Sequence, residues 1–275
     1  MANVIRIDTP DDGRLETYRS LKGKHMERDG IFIAEGPRVV KALSKTGIEA
    51  ISCLATEYSY KKARPYLSKL VKRTVPVYIA DKETIEKMIG FRFHQGLMVA
   101  ARSPRKLPFD MMPGKMRSPN LLVALDGVND PENVGLIVRN AAAFGADMMI
   151  VDPASYDPYY RKAVRVSIGS IFKLPVAYEP DIAAFLKRLK KEFNTRIIVT
   201  SPCQDAVDIA LADLSGNVCL VLGSEDEGVS KQVLKLADTL VKVPTSRNVD
   251  SLNVACTSAI CLYKAASVRH RAKIQ

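Results

Sequence analysis

Short apolar runs alternate with amphipathic stretches along the first hundred residues of this chain. Four of the apolar runs predict strands, at 30–36, 50–55, 77–80 and 96–101. Two stretches with helical spacing follow two of those strands and predict helices, at 37–43 and 82–88. The alternation predicts a small α/β unit, preceded by a basic segment at residues 18–28.

The rest of the chain repeats this alternation more strictly. Apolar runs predict strands at 121–125, 148–151, 196–200, 218–222 and 239–243. Helical spacing between and after them predicts helices at 133–144, 182–193, 231–237 and 251–269. Continuous apolar strands separated by helices are typical of a parallel sheet that is covered on both faces. We therefore expect an α/β fold with a parallel-sheet domain in this half.

A cluster of prolines separates the two halves. Pro104, Pro108, Pro113 and Pro119 stand close together, in a stretch with little periodicity. Such a stretch makes neither a helix nor a central strand, so it predicts a linker. The resulting domains are residues 1–105, a linker at 106–118, and residues 119–275.

Charge is distributed unevenly between the halves. Residues 1–105 hold 20 Lys and Arg against 12 Asp and Glu, a net charge of +8, whereas residues 106–275 hold 21 against 18, a net charge of +3. A basic N-terminal part suggests a polyanionic partner, most simply a nucleic acid. A solvated basic surface without a partner is the alternative.

The cysteines, the histidines and the apolar runs limit which classes of protein the sequence allows. The five cysteines are scattered without a CxxC pair, which favours reduced thiols in a cytoplasmic protein. With three histidines and no Cys/His cluster, we expect no metal site. We also expect no secretory signal and no membrane-spanning segment, because the N-terminus is acidic and no apolar run is long enough.

Three polar loops carry the candidate chemistry. They begin at Asn133, at Gly223 and at Val243, and each lies beside a predicted strand end or helix start. That is where an α/β sheet presents its ligand-binding groups. The first strand of this domain is followed by residues 126–130, which lack a G-x-G-x-x-G pattern. A dinucleotide-dependent dehydrogenase is therefore a weaker hypothesis.

The same loops resemble the three motifs of the SpoU (TrmH-like) RNA ribose methyltransferases. Asp130-Pro131-Glu132-Asn133-Val134-Gly135 with Arg139-Asn140-Ala141 resembles the first motif. Leu222-Gly223-Ser224-Glu225 with Gly228 resembles the second, and Val243-Pro244 with Ser251-Leu252-Asn253-Val254 resembles the third. The resemblance implies a C-terminal trefoil knot, here within 223–253. It also implies transfer of a methyl group from S-adenosylmethionine to a ribose 2′-hydroxyl, and a homodimer.

The N-terminal part resembles the RNA substrate-binding domain that precedes many such catalytic domains. The similarity rests on Ala34-Glu35-Gly36 and on Gly90-Phe91-Arg92-Phe93-His94-Gln95-Gly96. It implies that residues 1–105 bind RNA, which agrees with their positive charge.

The resemblance also assigns roles to single residues. Arg139 is expected to contact the ribose hydroxyl and the adjacent phosphate. The other polar catalytic positions are Asn133, Glu225, Ser251 and Asn253. The resemblance implies that Gly223, Val243 and Leu252 contact the cofactor. Ser251 has a second interpretation, as the N-cap of the last helix.

A basic loop is a further candidate for RNA binding. Arg161, Lys162 and Arg165 are expected to meet RNA phosphates, with a solvated charged turn as the alternative. The resemblance thus implies an S-adenosylmethionine-dependent RNA 2′-O-methyltransferase, acting on ribosomal RNA in preference to transfer RNA. An RNA-binding assembly factor that keeps the fold without the activity is the alternative.

Overall fold

A computed structural model describes residues 3–19, 30–72, 74–112, 120–246 and 249–274 of the chain. The chain forms two compact units. The first consists of Met1–Arg105 together with Tyr159–Phe172, and the second of Lys106–Pro158 and Lys173–Gln275. Residues 159–172 were predicted to belong to the second domain, but their contacts place them in the first unit.

Twelve strands are assigned within the described residues: β1 Asn3–Arg6, β2 Ile31–Glu35, β3 Ala50–Ala55, β4 Pro76–Ile79, β5 Leu97–Arg102, β6 Leu121–Asp126, β7 Met148–Val151, β8 Val176–Tyr178, β9 Arg196–Thr200, β10 Val207–Asp208, β11 Val218–Gly223 and β12 Thr239–Lys242. Nine α-helices accompany them in the same residues: α1 Glu16–Arg19, α2 Pro37–Leu43, α3 Glu57–Leu70, α4 Lys82–Ile89, α5 Pro131–Ala143, α6 Arg161–Val166, α7 Ile182–Phe193, α8 Lys231–Leu234 and α9 Val254–Ile274.

The first unit is built on a mixed sheet with the strand order β1-β4-β3-β5-β2. Strands β1, β3 and β4 are parallel to one another, and β5 runs antiparallel to both of its neighbours. The four predicted strands are confirmed as β2 to β5, and the two predicted helices as α2 and α4. Helix α3 was not predicted. Of the basic segment at 18–28, residues 20–28 lie outside the described residues.

The segment Tyr159–Phe172 packs on the sheet of the first unit. The ring of Phe32 on β2 contacts the rings of Tyr159 and Phe172, with centroids 5.4 and 5.8 Å away. Residues 161–165 were predicted to form a loop, but they belong to the helix α6. The helix forms because Ala163 and Val164 turn inward and are fully buried.

The second unit contains a seven-stranded sheet with the order β10-β12-β9-β11-β6-β7-β8. All of its strand pairs are parallel, which confirms the predicted parallel sheet. Apolar side chains of β6 and β11 are buried throughout, as expected for a sheet covered on both faces. Strand β11 is inserted between β6 and β9, so the carboxyl ends of β6 and β11 lie side by side, with Gly223 opposite Asp126.

Part of the predicted linker is packed against the second unit. The ring of Phe109 lies 5.2 Å from that of Phe185 and 5.8 Å from that of Phe193. The backbone N–H of Phe109 donates to Oε1 of Glu179, at 2.7 Å. Residues 106–112 are therefore packed on the second unit, which the proline pattern did not indicate, and residues 113–119 lie outside the described residues.

In the described part of the chain, no helix is long and apolar enough to cross a membrane. The predicted threading of residues 223–253 stays a prediction, and residues 247 and 248 lie outside the described residues.

Candidate active site

A cavity of about 790 Å³ opens at the carboxyl ends of three neighbouring strands of the second unit. Its walls are the segments that follow β9, β11 and β12, together with the start of α9. In a parallel α/β sheet, ligands bind at this edge, where strand order reverses. The cavity therefore lies where the fold class predicts a ligand site.

The loop after β11 forms one wall as a closed turn. Ser224 and Gly228 exchange two backbone hydrogen bonds, of 3.1 and 3.0 Å. Oγ of Ser224 accepts from the backbone N–H groups of Asp226 and Glu227, at 3.1 and 3.2 Å. Gly228 has a positive φ of 70°, which favours glycine. These contacts place the carboxylates of Glu225, Asp226 and Glu227 on the cavity wall.

Gly223 is required by packing within that turn. A Cβ built at this position would collide with the carbonyl carbon of Gly228 and the nitrogen of Val229. Because both obstacles are backbone atoms, no side-chain rearrangement relieves the collision. The backbone of Gly223 therefore reaches the cavity only in the absence of a side chain.

A buried carboxylate fixes the far end of the loop. Asp126 at the end of β6 is buried, and its Oδ2 accepts from the backbone N–H of Ser230 at 2.7 Å. Asp152, which follows β7, is buried too, and its carboxylate accepts from the backbone N–H groups of Gly127 and Ala154. Sequence reasoning missed both supporting roles. The sequence signal that could have indicated these roles is an aspartate at the carboxyl end of each buried strand, Asp126 as the last residue of β6 and Asp152 directly after β7.

Asn253 joins the three predicted motifs. Its Nδ2 donates to Oδ1 of Asn133 at 2.9 Å and to Oε1 of Glu225 at 2.6 Å. An amide NH₂ has two donors, so these bonds use both. Its Oδ1 accepts from the N–H groups of Ala255 and Cys256, at 2.9 and 3.3 Å. One side chain thus orients a carboxylate on the cavity wall and caps the helix beside it.

The second interpretation of Ser251 is therefore wrong, because α9 begins at Val254 and is capped by Asn253. Ser251 instead lines the cavity with an exposed side chain. The predicted helix start was three residues too early. Ser251, Leu252 and Asn253 form an irregular segment that contributes to the cavity wall.

The three predicted cofactor positions all line this cavity. Gly223 ends β11 and Val243 follows β12, the strands on either side of β9, and Leu252 lies in the segment before α9. Leu252 is 38% exposed, which is high for a large apolar side chain and leaves apolar surface for a ligand. The volume lies within the range of small-molecule sites. The combination of apolar surface, bare backbone and carboxylates suits a ligand with an aromatic base, hydroxyl groups and a positive charge, as in S-adenosylmethionine.

Two predicted catalytic residues do not line the cavity: Asn133, which reaches it through its hydrogen bond to Asn253, and Arg139. Arg139 is exposed on α5, and no other described residue forms a hydrogen bond or an ion pair with its guanidinium. Its neighbour Asn140 has a structural role, because Nδ2 of Asn140 donates to the backbone O of Ala255 and to Oγ of Ser258, both at 2.9 Å. These bonds fasten α5 to α9.

The three predicted RNA-binding residues lie on α6 in the first unit and differ in availability. Nη1 of Arg161 is 2.5 Å from Oε2 of the buried Glu35, and its guanidinium lies 4.4 Å from the ring centre of Phe91. The side chain of Arg161 is only 13% exposed, against 40% for Arg165. Nη1 of Arg165 also pairs with Glu35, at 3.7 Å from its Oε1, so both arginines are engaged by their own unit. RNA binding by Arg161, Lys162 and Arg165 stays a prediction.

No group of three or more His, Cys, Asp or Glu side chains suited to a metal ion occurs among the described residues.

Comparison with known proteins agrees with this geometry. Residues 120–263 match the model of the SpoU rRNA Methylase family. An uncharacterized tRNA/rRNA methyltransferase of Mycobacterium bovis is 31% identical over 270 residues, which cover 95% of this chain and 91% of that protein. A 23S rRNA (guanosine-2′-O-)-methyltransferase of Acinetobacter baylyi is 34% identical over 200 residues, which cover 71% of this chain and 79% of that protein.

A solved structure extends the similarity to most of the chain. The crystal structure of the AdoMet-bound rRNA methyltransferase from Sinorhizobium meliloti superposes with a TM-score of 0.81 at 26% identity. The alignment covers 96% of this chain and 98% of that one, so both units have counterparts in a single protein with bound S-adenosylmethionine.

Proposed function

Because the chain belongs to the SpoU rRNA methylase family, we propose that it transfers the methyl group of S-adenosylmethionine to a ribose 2′-hydroxyl in ribosomal RNA. One observation carries the proposal. Asn253 joins Asn133 and Glu225 at the wall of a cavity that Gly223, Val243 and Leu252 line. The three motifs thereby form one site.

The residues of the chain perform two tasks in this reaction. S-adenosylmethionine, when bound, supplies a methyl group that its sulfonium already activates. The protein must orient the 2′-hydroxyl toward the methyl carbon, because a neutral hydroxyl is a weak nucleophile. The new bond from oxygen to the methyl group replaces the bond from that group to sulfur, and the hydroxyl proton passes to water. The carboxylate of Glu225, held by Asn253, can balance positive charge at the cavity wall.

Arg139 is assigned to contact with the ribose hydroxyl and the adjacent phosphate of the RNA. A guanidinium carries five donors and stays protonated, so it suits a phosphate and a neighbouring hydroxyl better than it suits the role of a base. Its exposure and its lack of partners among the described residues leave those donors available. Lys162 and Arg165 on α6 are assigned to RNA phosphates as well. Arg161 is assigned to holding α6 against Glu35, with which the more exposed Arg165 also pairs, at 3.7 Å.

We further propose a homodimer. Ile260 and Tyr263 on α9 and Leu136 on α5 are exposed apolar side chains on two helices that are fastened together by Asn140. A second copy covering them would remove this surface from water. Three other apolar residues of α9, Val254, Ala255 and Leu262, are buried within the chain and so do not support the dimer.

The trefoil knot and the cytoplasmic location belong to the same proposal. Ribosomal RNA as the substrate favours the cytoplasm, as do the five free cysteines. Burial raises the pKa of Cys53 and of Cys219 to about 12, which keeps both thiols protonated.

The test combines binding with transfer. Calorimetry should show one S-adenosylmethionine per chain, and labelled methyl groups should pass to ribosomal RNA transcribed in vitro. Resistance of the modified linkage to alkaline cleavage would place the methyl group on the 2′-oxygen. Binding of cofactor and RNA without transfer would contradict the enzyme assignment and favour the assembly factor. Transfer to a base would contradict the ribose assignment.

A further inference from the structure

The solvent face of α3 is a basic surface with one exposed aromatic ring. Residues 57–72 hold five Lys or Arg and one Asp or Glu. Ala63, Leu67 and Leu70 bury one side of the helix against the first unit. With 100° of rotation per residue, Tyr58, Lys62 and Lys69 fall on the opposite side, within a stripe about 16 Å long. We call these three residues the α3 stripe.

Tyr58 is exposed to an unusual degree for an aromatic residue. It is 67% exposed, and Nζ of Lys62 lies 4.4 Å from the centre of its ring. The ring also lines a cavity of about 550 Å³ at the carboxyl ends of β1, β3 and β4. An exposed ring beside a cation offers a planar base both stacking and charge, the combination used by proteins that bind single-stranded RNA.

The positive charge of the stripe is not neutralised nearby. Glu57 is the one acidic residue of α3, and its carboxylate already pairs with Arg6 and Lys61, at 3.2 and 3.4 Å. Neither Lys62 nor Lys69 forms an ion pair with another described residue, and both are exposed. Neither ammonium group is neutralised by a described carboxylate, so both can pair with an anionic partner, that of Lys62 beside the ring of Tyr58.

From this charge and this ring we infer that the α3 stripe is a docking surface for RNA, with Lys62 and Lys69 on phosphates and an unstacked base on Tyr58. The inference rests on the proposed function, which makes RNA the substrate, and it adds a binding surface on the first unit. Phosphates complement the free cations. A protein partner would need an acidic surface to pair with the two lysines. It would gain little binding energy from the Tyr58 ring, because a cation already lies over that ring.

The charge contribution is tested by paired lysine variants of the full chain. The probe is unmodified 16S and 23S ribosomal RNA transcribed in vitro, bound at several salt concentrations. Lys62→Ser with Lys69→Ser should weaken binding roughly tenfold near 0.15 M salt and lower the salt slope by about 1.4–1.8, since each phosphate contact adds roughly 0.7–0.9. The matched control is Lys187→Ser with Lys191→Ser, two exposed lysines of α7, which should behave as the wild type.

The stacking contribution is tested at Tyr58. Tyr58→Ala should weaken binding about five- to a hundredfold and leave the salt slope unchanged, while Tyr58→Phe keeps the ring and should bind as the wild type does. A circular dichroism spectrum and a melting curve that match those of the wild type show that each variant is folded, including the first unit, which carries the stripe.

The outcomes separate the two proposals. If the stripe variants bind RNA as tightly as the α7 control, the inference is overturned, and a protein-binding role of the stripe would give that result. If the wild type binds RNA through the stripe but transfers no methyl group, the proposed function fails and the docking surface stands.

Discussion

Asn133 and Asn253 are 120 residues apart in sequence, yet Oδ1 of the first accepts a 2.9 Å hydrogen bond from Nδ2 of the second. The same Nδ2 donates to Glu225, so the bond ties the first motif to the other two. The remaining atom of the amide, Oδ1, caps α9. Positioning and helix capping therefore depend on different atoms of one side chain, which makes them separable by substitution.

Asn253→Asp should separate these functions. An aspartate keeps the oxygen that caps α9, but it loses both donated bonds and places a second negative charge beside Glu225. We expect methyl transfer to fall about a hundredfold with little change in thermal stability. Asn253→Ala loses the cap too and should cost about 1 kcal/mol of stability as well. Wild-type transfer by Asn253→Asp would contradict the positioning role.

Arg139→Ala should impair transfer and leave the cofactor site intact. Arg139 does not line the cavity and has no partner among the described residues, so its loss removes no structural contact. We expect an affinity for S-adenosylmethionine close to that of the wild type, measured by calorimetry, and transfer lowered about a hundredfold in single turnover. Arg139→Lys keeps the charge without the planar donors and should recover only part of the rate. Full transfer by Arg139→Ala would refute the assignment.

Leu252→Ala should weaken cofactor binding without unfolding the chain. Leu252 is partly exposed in the cavity, so truncation removes ligand contact and little core packing. We expect about a tenfold loss of affinity for S-adenosylmethionine, the scale of a buried leucine side chain. Leu211→Ala, at a highly exposed leucine outside the cavity lining, serves as the control. Equal affinities of the two variants would remove Leu252 from the site.

Gly223→Ala should behave differently from Leu252→Ala. The added Cβ meets the backbone at Gly228 and Val229 before it meets a ligand. We expect a lower melting temperature in addition to lost cofactor binding, both measured on the purified protein. A variant that keeps its melting temperature would show that the turn tolerates a side chain.

Ile260→Glu should dissociate the proposed dimer. Ile260 is 37% exposed on α9, and a carboxylate there would be buried without a partner in the interface. Sedimentation at micromolar concentration should change from a dimer to a species of 30.3 kDa. Leu211 is 81% exposed, and Leu211→Glu should leave the dimer unchanged. A wild-type protein that sediments as a monomer would contradict the proposal.

The sequence by itself determined the α/β class, the parallel sheet of the second unit and most of its elements. These features follow from the spacing of apolar residues along the chain. That spacing is a local property, so it can be read without the tertiary structure. The residues of the three loops were identifiable as a set because polar residues of these types are unusual beside strand ends.

Only the tertiary structure decided which of those residues positions the others and which caps the helix. Hydrogen bonds across 120 and 28 residues select Asn253 over Ser251 as the cap of α9, because chain folding and not local propensity brings Asn133 and Glu225 to it. Long-range packing also assigned α6 to the first unit, where Glu35 engages Arg161, since a basic pattern alone does not reveal where its counterion lies.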